Sequence, residues 1–550
     1  MRYVSQLFLG VLLFLSLQTA HASPNDVFRP LSVDWSQQPM KLKDKYFGHN
    51  TVWVRGGLGL WDEARSEVFP EVHRLVEDIS PGVLRFPGGT RAMLYRFWEG
   101  IGDERNRKAQ CDPFSSEFDD TSWGPMEFFN WAQKLGSKVS LVTPWAFSTP
   151  EEVASFVAFV NGEVEDDRYI AGEEDREDNN YRRWGKVSDW AKRRAVLGRE
   201  SPFDLDYVEV SNEAFLDLKV RKKIDNPCWC DPRFPLQQCP QSFKANWQAT
   251  MKEGFFETGV MDYVQRLRES SRLIRKINPR IKIGAAAKMK IFEPIQSNSG
   301  IVDAVAPVDR RLRNKVAWNR GIYDNAKDHF DFFSLHPYRI LPFARLSLPQ
   351  DLESVVKQFK QEFPEKGLAV TEFGFFKKGD TLANAIVSAE MIKIAVENDF
   401  EMLLRHILIE DQADSLFASH GAILGPDHKK TPAYHALKLM RDLLYQDSYK
   451  LESGAAELKL LATVSPAKDK VAILVINKKN KGRSLTFSFP TFSDGVVSYH
   501  YLAHDSKEAK ADDITEVNRQ VRTPKSRQGE VVLEVKAFEL GVLILDRTGA

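Results

Sequence analysis

Three things that the chain lacks narrow it first. It has no excess of either charge: Lys and Arg together number 76 and so do Asp and Glu, for a formal net charge of zero. Such a balance offers no electrostatic pull on nucleic acid or an anionic membrane. The expected partner is a neutral polymer, a polysaccharide or oligosaccharide, and no nucleic acid. Long apolar runs are also missing. After Leu17 no segment reaches the ~20 apolar residues that cross a bilayer, so no integral membrane segment is expected in the mature chain. Cysteine is scarce, with four residues in 550.

What is present begins with an address. Arg2 precedes the apolar run Leu7 to Leu17, and Ala20-His21-Ala22 supplies small residues before Ser23. Residues 1–22 therefore read as a cleaved signal peptide, and no cysteine follows to receive lipid. The expected location is periplasmic or secreted. In an oxidising compartment Cys111, Cys228, Cys230 and Cys239 read as two disulfides, with three pairings open. Cys228 and Cys230, one residue apart, are expected to bond elsewhere than to each other, with Cys239 and Cys111 as partners. The alternative is a zinc site, but Cys-Trp-Cys is not the usual ligand spacing and no histidine cluster adjoins it.

Beyond the address the chain alternates. Short β-branched or aromatic runs occur at Phe47 to Val54, Val83 to Phe86, Lys138 to Thr143, Tyr207 to Val210, Ile281 to Ala285, Phe330 to Leu335, Leu368 to Glu372 and Met402 to Leu408. Helical patterns lie between them: Ser66 to Ile79, Pro125 to Leu135, Pro150 to Val160, Met261 to Ile277, Asp351 to Phe363, Leu382 to Asn398 and Pro432 to Tyr445. The fifth connection, Val308 to Lys327, is the least regular. Ser148-Thr149-Pro150-Glu151-Glu152 places a capping hydroxyl, a first-turn proline and acids where the helix dipole favours them. Strand and helix alternating eight times predict an α/β fold, a (β/α)8 TIM barrel over 46–447. After Asp447 short strands follow without helices, predicting a C-terminal β-sandwich domain over 448–550. Residues 23–45 are expected to supply N-terminal strands that can join it.

Two stretches interrupt the barrel. Gly162 to Asn180 is strongly acidic and reads as a solvated loop. Calcium is the alternative there, although no EF-hand spacing is present. Leu216 to Gly254 holds three of the cysteines and reads as a loop shaping access to the active face.

Two β-rich runs end at a glutamate: VEVSNEAF, with Asn212-Glu213, and LAVTEFGFF, with Glu372. They fall at the carboxyl ends of the fourth and seventh strands, the face of such barrels that hosts chemistry. A glutamate inside a strand is instead expected to be an unpaired buried charge. Two carboxyls at one mouth are the equipment of glycoside hydrolysis. Glu372 would attack the anomeric carbon, while Glu213 protonates the leaving oxygen and then deprotonates water. Retention requires a carboxyl separation of ~5 to 5.5 Å. This chemistry needs no cofactor and no metal. Aromatic residues, 11% of the chain with 12 Trp, offer faces for sugar rings. Trp98, Trp145 and Trp318 are candidates, with core packing as the plainer reading of each.

The motifs around these residues resemble those of clan A glycoside hydrolases, and most closely the α-L-arabinofuranosidases of family 51. The resemblance runs through Leu84-Arg85-Phe86-Pro87-Gly88-Gly89-Thr90, WEGIGDERNRK from Trp98, GPMEFFNWAQKLG from Gly124 and STPEEVASFVAFVNG from Ser148. It continues through SDWAKRRAVLGRESPFDLDYVEVSNE, DFFSLHPY from Asp331 and TEFG from Thr371. It implies that Asn212 hydrogen-bonds the hydroxyl beside the reacting carbon, that Arg85 keeps the nucleophile ionised, and that His336 and Tyr338 hydrogen-bond around it. Taken singly, Arg85 also reads as a floor salt bridge and His336 as a core histidine. Some positions depart from the family. After Gly48-His49 the chain has Asn50 where arabinofuranosidases carry a glutamate, and Thr90, Ser211 and Phe373 replace an asparagine, a glycine and a tryptophan. A pyranosidase similar to family 39 xylosidases, an endo-acting exopolysaccharide hydrolase and a non-catalytic polysaccharide-binding protein are the alternatives.

Overall fold

The computed structural model describes residues 30–112, 118–119, 121–144, 148–179, 181–215, 260–289, 318–339, 346–375, 379–410, 421–425, 427–451, 458–493, 495–504 and 510–547. The signal sequence, Trp145, Cys228, Cys230 and Cys239 lie outside the described residues, and of Cys111 only the backbone is described.

Eight parallel strands run in chain order: β1 (Gly48–Asn50), β2 (Val83–Phe86), β3 (Lys138–Val142), β4 (Tyr207–Val210), β5 (Lys282–Ala286), β6 (Phe332–Leu335), β7 (Gly367–Val370) and β8 (Leu404–Arg405). From β2 to β7 each pairs with its predecessor, and β8 pairs with β1. A parallel bridge between Val370 and Leu403 closes the ring. The helices are α1 (Pro70–Ile79), α2 (Pro125–Lys134), α3 (Pro150–Asn161), α4 (Val187–Val196), α5 (Val260–Ile277), α6 (Trp318–Ala326), α7 (Leu348–Glu362), α8 (Leu382–Asn398) and α9 (Pro432–Leu443). Thr149 caps α3 as its sequence asked, its hydroxyl accepting from the Glu152 amide at 3.2 Å.

Side chains on a strand alternate between faces, so alternate residues line the barrel. Val83, Tyr207, Phe332, Ala369, Met402 and Leu404 form one apolar cluster that plugs the lower interior. Two residues further along come Arg85, Glu209, Ser334, Thr371 and His406. The next interior layer is thus polar, at the end where the strands finish.

From Asp447 onward the named strands pair antiparallel. Strands β9 (Asp447–Leu451), β10 (Leu458–Val464), β11 (Lys470–Asn477), β12 (Arg483–Ser488), β13 (Val496–Ala503), β14 (Asn518–Arg522), β15 (Lys525–Arg527), β16 (Glu530–Val535) and β17 (Leu540–Asp546) form two sheets. One has the order β9-β10-β11-β17-β13-β14 with Met40–Lys41 added beside β9, and the other is β12-β16-β15. Val471, Ile473 and Val475 of β11 point into the core between the sheets with Phe487 and Leu533. Ala472, Leu474 and Ile476 point the other way, into the barrel's core cluster. Both faces of β11 are covered, which explains a continuous apolar run where a half-exposed strand would alternate.

Several sequence expectations shift. The first helix begins at Pro70, not Ser66, because Trp61–Asp62 and Glu67–Val68 form a short hairpin and the proline suits the first helical turn. The seventh helix starts earlier than Asp351, at Leu348, again with a proline in its first turn. A helix absent from the expected set, α4, follows α3. In the acidic stretch Asp166 pairs with Arg168, and Asp178 accepts from Thr149 and Trp184. Among the described residues no group of three His, Cys, Asp or Glu side chains is placed to hold a metal.

Candidate active site

Arg85, fully buried in the polar layer, organises the site. Its Nε and Nη2 donate to the two oxygens of Glu209 at 2.8 and 3.2 Å. Nη1 donates to Glu372 Oε1 at 2.6 Å and to Asn50 Oδ1 at 2.7 Å, and Nη2 also reaches Asn212 Oδ1 at 3.0 Å. One guanidinium thus ties together β1, β2, β4 and the ends of β4 and β7. Such a planar fork holds two carboxylates in fixed directions, which a lysine cannot do.

Glu209 is a glutamate inside a strand, and it is paired. Besides Arg85 it accepts from Ser140 Oγ at 2.9 Å and Ser334 Oγ at 2.8 Å. Burial pushes its carboxyl up, but Arg85 outweighs this and holds it below the ordinary range. The expectation that such a residue would be unpaired is corrected by three other strands of the barrel that each turn a polar side chain inward at its level. Sequence reading missed Glu209, Ser140 and Ser334, and noted Asn50 only as a departure from the family. The available signal was phase, since Glu209 and Arg85 both sit two residues beyond an interior apolar residue.

The two end-of-strand glutamates meet. At the end of β4 the chain turns through left-handed φ values at Ser211 (74°) and Glu213 (45°), a conformation tolerated where the surroundings enforce it. Glu213 Oε1 comes to 3.1 Å from His336 Nδ1, and Glu372 Oε2 lies 3.7 Å from the same nitrogen. Tyr338 Oη donates to Glu372 Oε2 at 2.7 Å. On the other side, Gly89 (φ 65°) has no side chain to crowd the pair; a Cβ there would stand 4.0 Å from Glu372 Oε1.

A chain of hydroxyls fixes the His336 proton. Ser334 Oγ donates to Glu209, so it must accept from Thr371 Oγ1 at 2.5 Å, and Thr371 in turn accepts from His336 Nε2 at 2.9 Å. Nε2 therefore carries hydrogen, and a second proton on Nδ1 would face both glutamates. Burial draws the His336 pKa down, yet Glu372 and Glu213 outweigh it and the net direction is upward. For Glu372, burial pushes up, but His336 and Arg85 bring it down to about 2. His406, at the end of β8, is lowered by burial to about 4 and stands neutral at physiological pH.

Asn212 Oδ1 is committed to Arg85, while its Nδ2 is buried with no hydrogen-bond partner among the described residues. Asn50 is spent on both atoms, since Nδ2 donates to the Thr371 carbonyl at 2.7 Å. Trp98 is not part of this group: its indole N–H donates to Glu152 Oε1 at 3.3 Å, and the Arg182 guanidinium covers its ring at 4.2 Å. Trp318 packs in the core, donating to the Ala286 carbonyl at 2.8 Å.

Known proteins resemble this chain in sequence and in fold. Residues 75–325 match the family model of the alpha-L-arabinofuranosidase 1 domain. An intracellular exo-alpha-L-arabinofuranosidase of Bacteroides ovatus is 27% identical over 184 residues, which cover 32% of this chain and 31% of that protein. The chain spans about a third of the length of the curated relatives it matches. The crystal structure of an alpha-L-arabinofuranosidase from Thermotoga maritima, an arabinose complex, superposes with a TM-score of 0.66 at 16% identity, covering 94% of this chain and 99% of that one. A xyloglucanase of glycoside hydrolase family 44 from Paenibacillus polymyxa, with xyloglucan, gives 0.57 at 13% identity over 94% and 99%. At these identities the structural likeness is one of fold. The similarity to family 51 arabinofuranosidases rests on sequence within residues 75–325 and on fold across nearly the whole chain.

Proposed function

We propose that the chain is an exported retaining glycoside hydrolase, similar to α-L-arabinofuranosidases, that cleaves a polysaccharide or oligosaccharide by double displacement. The observation carrying this reading is the single imidazole of His336 standing between Glu213 and Glu372. The separation of the two carboxylate oxygens is at most the sum of the 3.1 and 3.7 Å legs. That limit admits the ~5 to 5.5 Å carboxyl separation of a covalent mechanism.

In this mechanism Glu372, kept ionised by Arg85, attacks the anomeric carbon. The leaving oxygen takes its proton from Glu213, which then accepts one from the water that releases the glycosyl-enzyme. The unspent Nδ2 of Asn212 donates to the hydroxyl beside the reacting carbon, and Tyr338 holds Glu372 in line. The location, periplasmic or secreted, rests on the leader at Arg2 and Leu7 to Leu17 and is checked by cell fractionation.

Replacing Glu372 with Gln tests the reading. The variant should fold, bind glycan and lose turnover, and turnover equal to the wild type would end the proposal. A second glycone remains in play because Asn50, in the position of the family's glutamate, is consumed within the floor. Comparing nitrophenyl arabinofuranosides with pyranosides separates the two, since hydrolysis of pyranosides alone excludes the furanose.

A further inference from the structure

On the flank of the barrel, against the outer helices, lies a cleft of ≈ 460 Å³ whose lining includes neither of the two glutamates. Its walls come from the hairpin after β1, the connection after β2 and the facing turns of α1 and α2.

Two tryptophans form its apolar sides. Trp61 stands on the hairpin and Trp131 on α2, and both rings pack against the buried Trp123, at 5.4 and 5.9 Å between centroids. The walls are therefore braced. The polar groups are fixed as well. Trp131 can only donate, and it donates to His73 Nδ1 at 3.2 Å, so neutral His73 carries its proton on Nε2. Trp61 Nε1 is buried and has no partner among the described residues. Asn130 and Lys134, one turn apart on α2, stand exposed at the rim.

Charge selects the ligand class. The cation in the wall, Arg107, is neutralised by Glu127 at 2.6 Å and spends its remaining donors on the carbonyls of Gly102, Thr121 and Ser122. Lys134 and Glu67, both lining residues, add one charge of each sign. Phosphates and other anions find no unspent pair of cations here, and an apolar ligand would strand the N–H groups. A ring with C–H faces and hydroxyl edges satisfies both walls and donors, and the volume lies within the ~300 to 1,000 Å³ of ordinary ligand sites.

We infer that this cleft binds a glycan segment of the polymer whose cleavage the glutamates perform, as a second carbohydrate site outside the catalytic hollow. The inference names a further site of the proposed hydrolase and rests on that reading only for the identity of the polymer.

Affinity electrophoresis of the Glu372→Gln protein through gels containing a panel of plant and bacterial polysaccharides tests it. Adding Trp61→Ala should weaken retardation about 10-fold, and Asn130→Ala, an exposed change, several-fold. In the otherwise wild-type enzyme, neither change should alter kcat/KM on a nitrophenyl glycoside. Unchanged retardation in both variants, or no retardation of the parent by a polymer the enzyme cleaves, overturns the second site. Retardation that depends on Trp61 in a protein that cleaves nothing upholds the cleft and overturns the hydrolase. A protein that neither binds nor cleaves across the panel overturns both.

Discussion

Two buried ionic clusters in this chain obey opposite rules. In the barrel floor, Arg85 satisfies Glu209 and Glu372 together, with amides and hydroxyls taking up the remaining contacts. Pairing wins over burial there, and both carboxyls are pulled down. Where the sandwich packs on the barrel, Lys478 meets Glu390 of α8 at 2.8 Å, with Lys459 more distant at 3.9 Å. Burial wins at this second cluster: it raises Glu390 and lowers Lys478 despite their contact. The difference lies in the number and geometry of donors. A rigid five-donor fork offsets the loss of water, whereas one close and one distant ammonium at a single carboxylate do not.

The largest test of the contrast is functional. Glu372→Gln should lower kcat/KM by about 10⁴-fold or more, measured on whichever aryl glycoside proves active, with little change in the far-UV circular dichroism. Arg85→Met comes next. It strands two buried carboxylates, so the variant should lose ~3 to 5 kcal/mol in urea unfolding together with its activity. At the interface the same logic predicts an asymmetry. Lys478→Met alone should destabilise, whereas Lys478→Met with Glu390→Leu should regain most of the loss or exceed wild-type stability by ~1 to 4 kcal/mol. A double variant no better than the single one would erase the distinction between the clusters.

Smaller effects sharpen it. The folded pKa of Glu372 lies below its unfolded value of ~4.3, so its contribution to stability is present above that pH and disappears as pH falls towards about 2. Glu390 has the opposite sign. Its folded pKa is raised, so stability from this group is present below the unfolded value and lost as pH rises through the folded one. Tyr338→Phe removes a hydrogen bond to charged Glu372 and should cost about 10-fold in kcat. It should also move the acid limb of the pH profile upward. Thr371→Val, which cuts the hydroxyl chain to His336, should shift the basic limb with the least loss of rate, and Thr371→Ser should restore it.

Much of this was legible in the chain. The eight strands, their order and the meeting of the Asn212-Glu213 and Glu372 turns follow from local runs that end in polar residues. The Arg85 role was legible through resemblance, because nothing near Arg85 in sequence names its partners. Glu209, Ser140, Ser334 and the role of Asn50 escaped because their meaning lies in one layer shared by four strands, and layer position depends on register across the sheet rather than on neighbours in sequence. Trp98 misled for a similar reason. Whether an indole face is open depends on what covers it, and here that is Arg182, 84 residues away in the chain. Helix α4 shows only Val187, Trp190 and Ala191 as its buried apolar contacts amid charge, too sparse a stripe for periodicity to reveal.

The alternation of apolar plug and polar floor has a consequence for how this barrel tolerates change in length. Removing a single residue upstream of Arg85 within β2 would swing the guanidinium outward among the helices and bring Leu84 or Phe86 to the centre. Indels in the strands should therefore be lethal to the floor as a whole, while the connecting segments at the same end can grow or shrink without disturbing it. Variation among natural or engineered versions of this scaffold should accumulate in those segments, so that reach and selectivity diverge above an unchanged base.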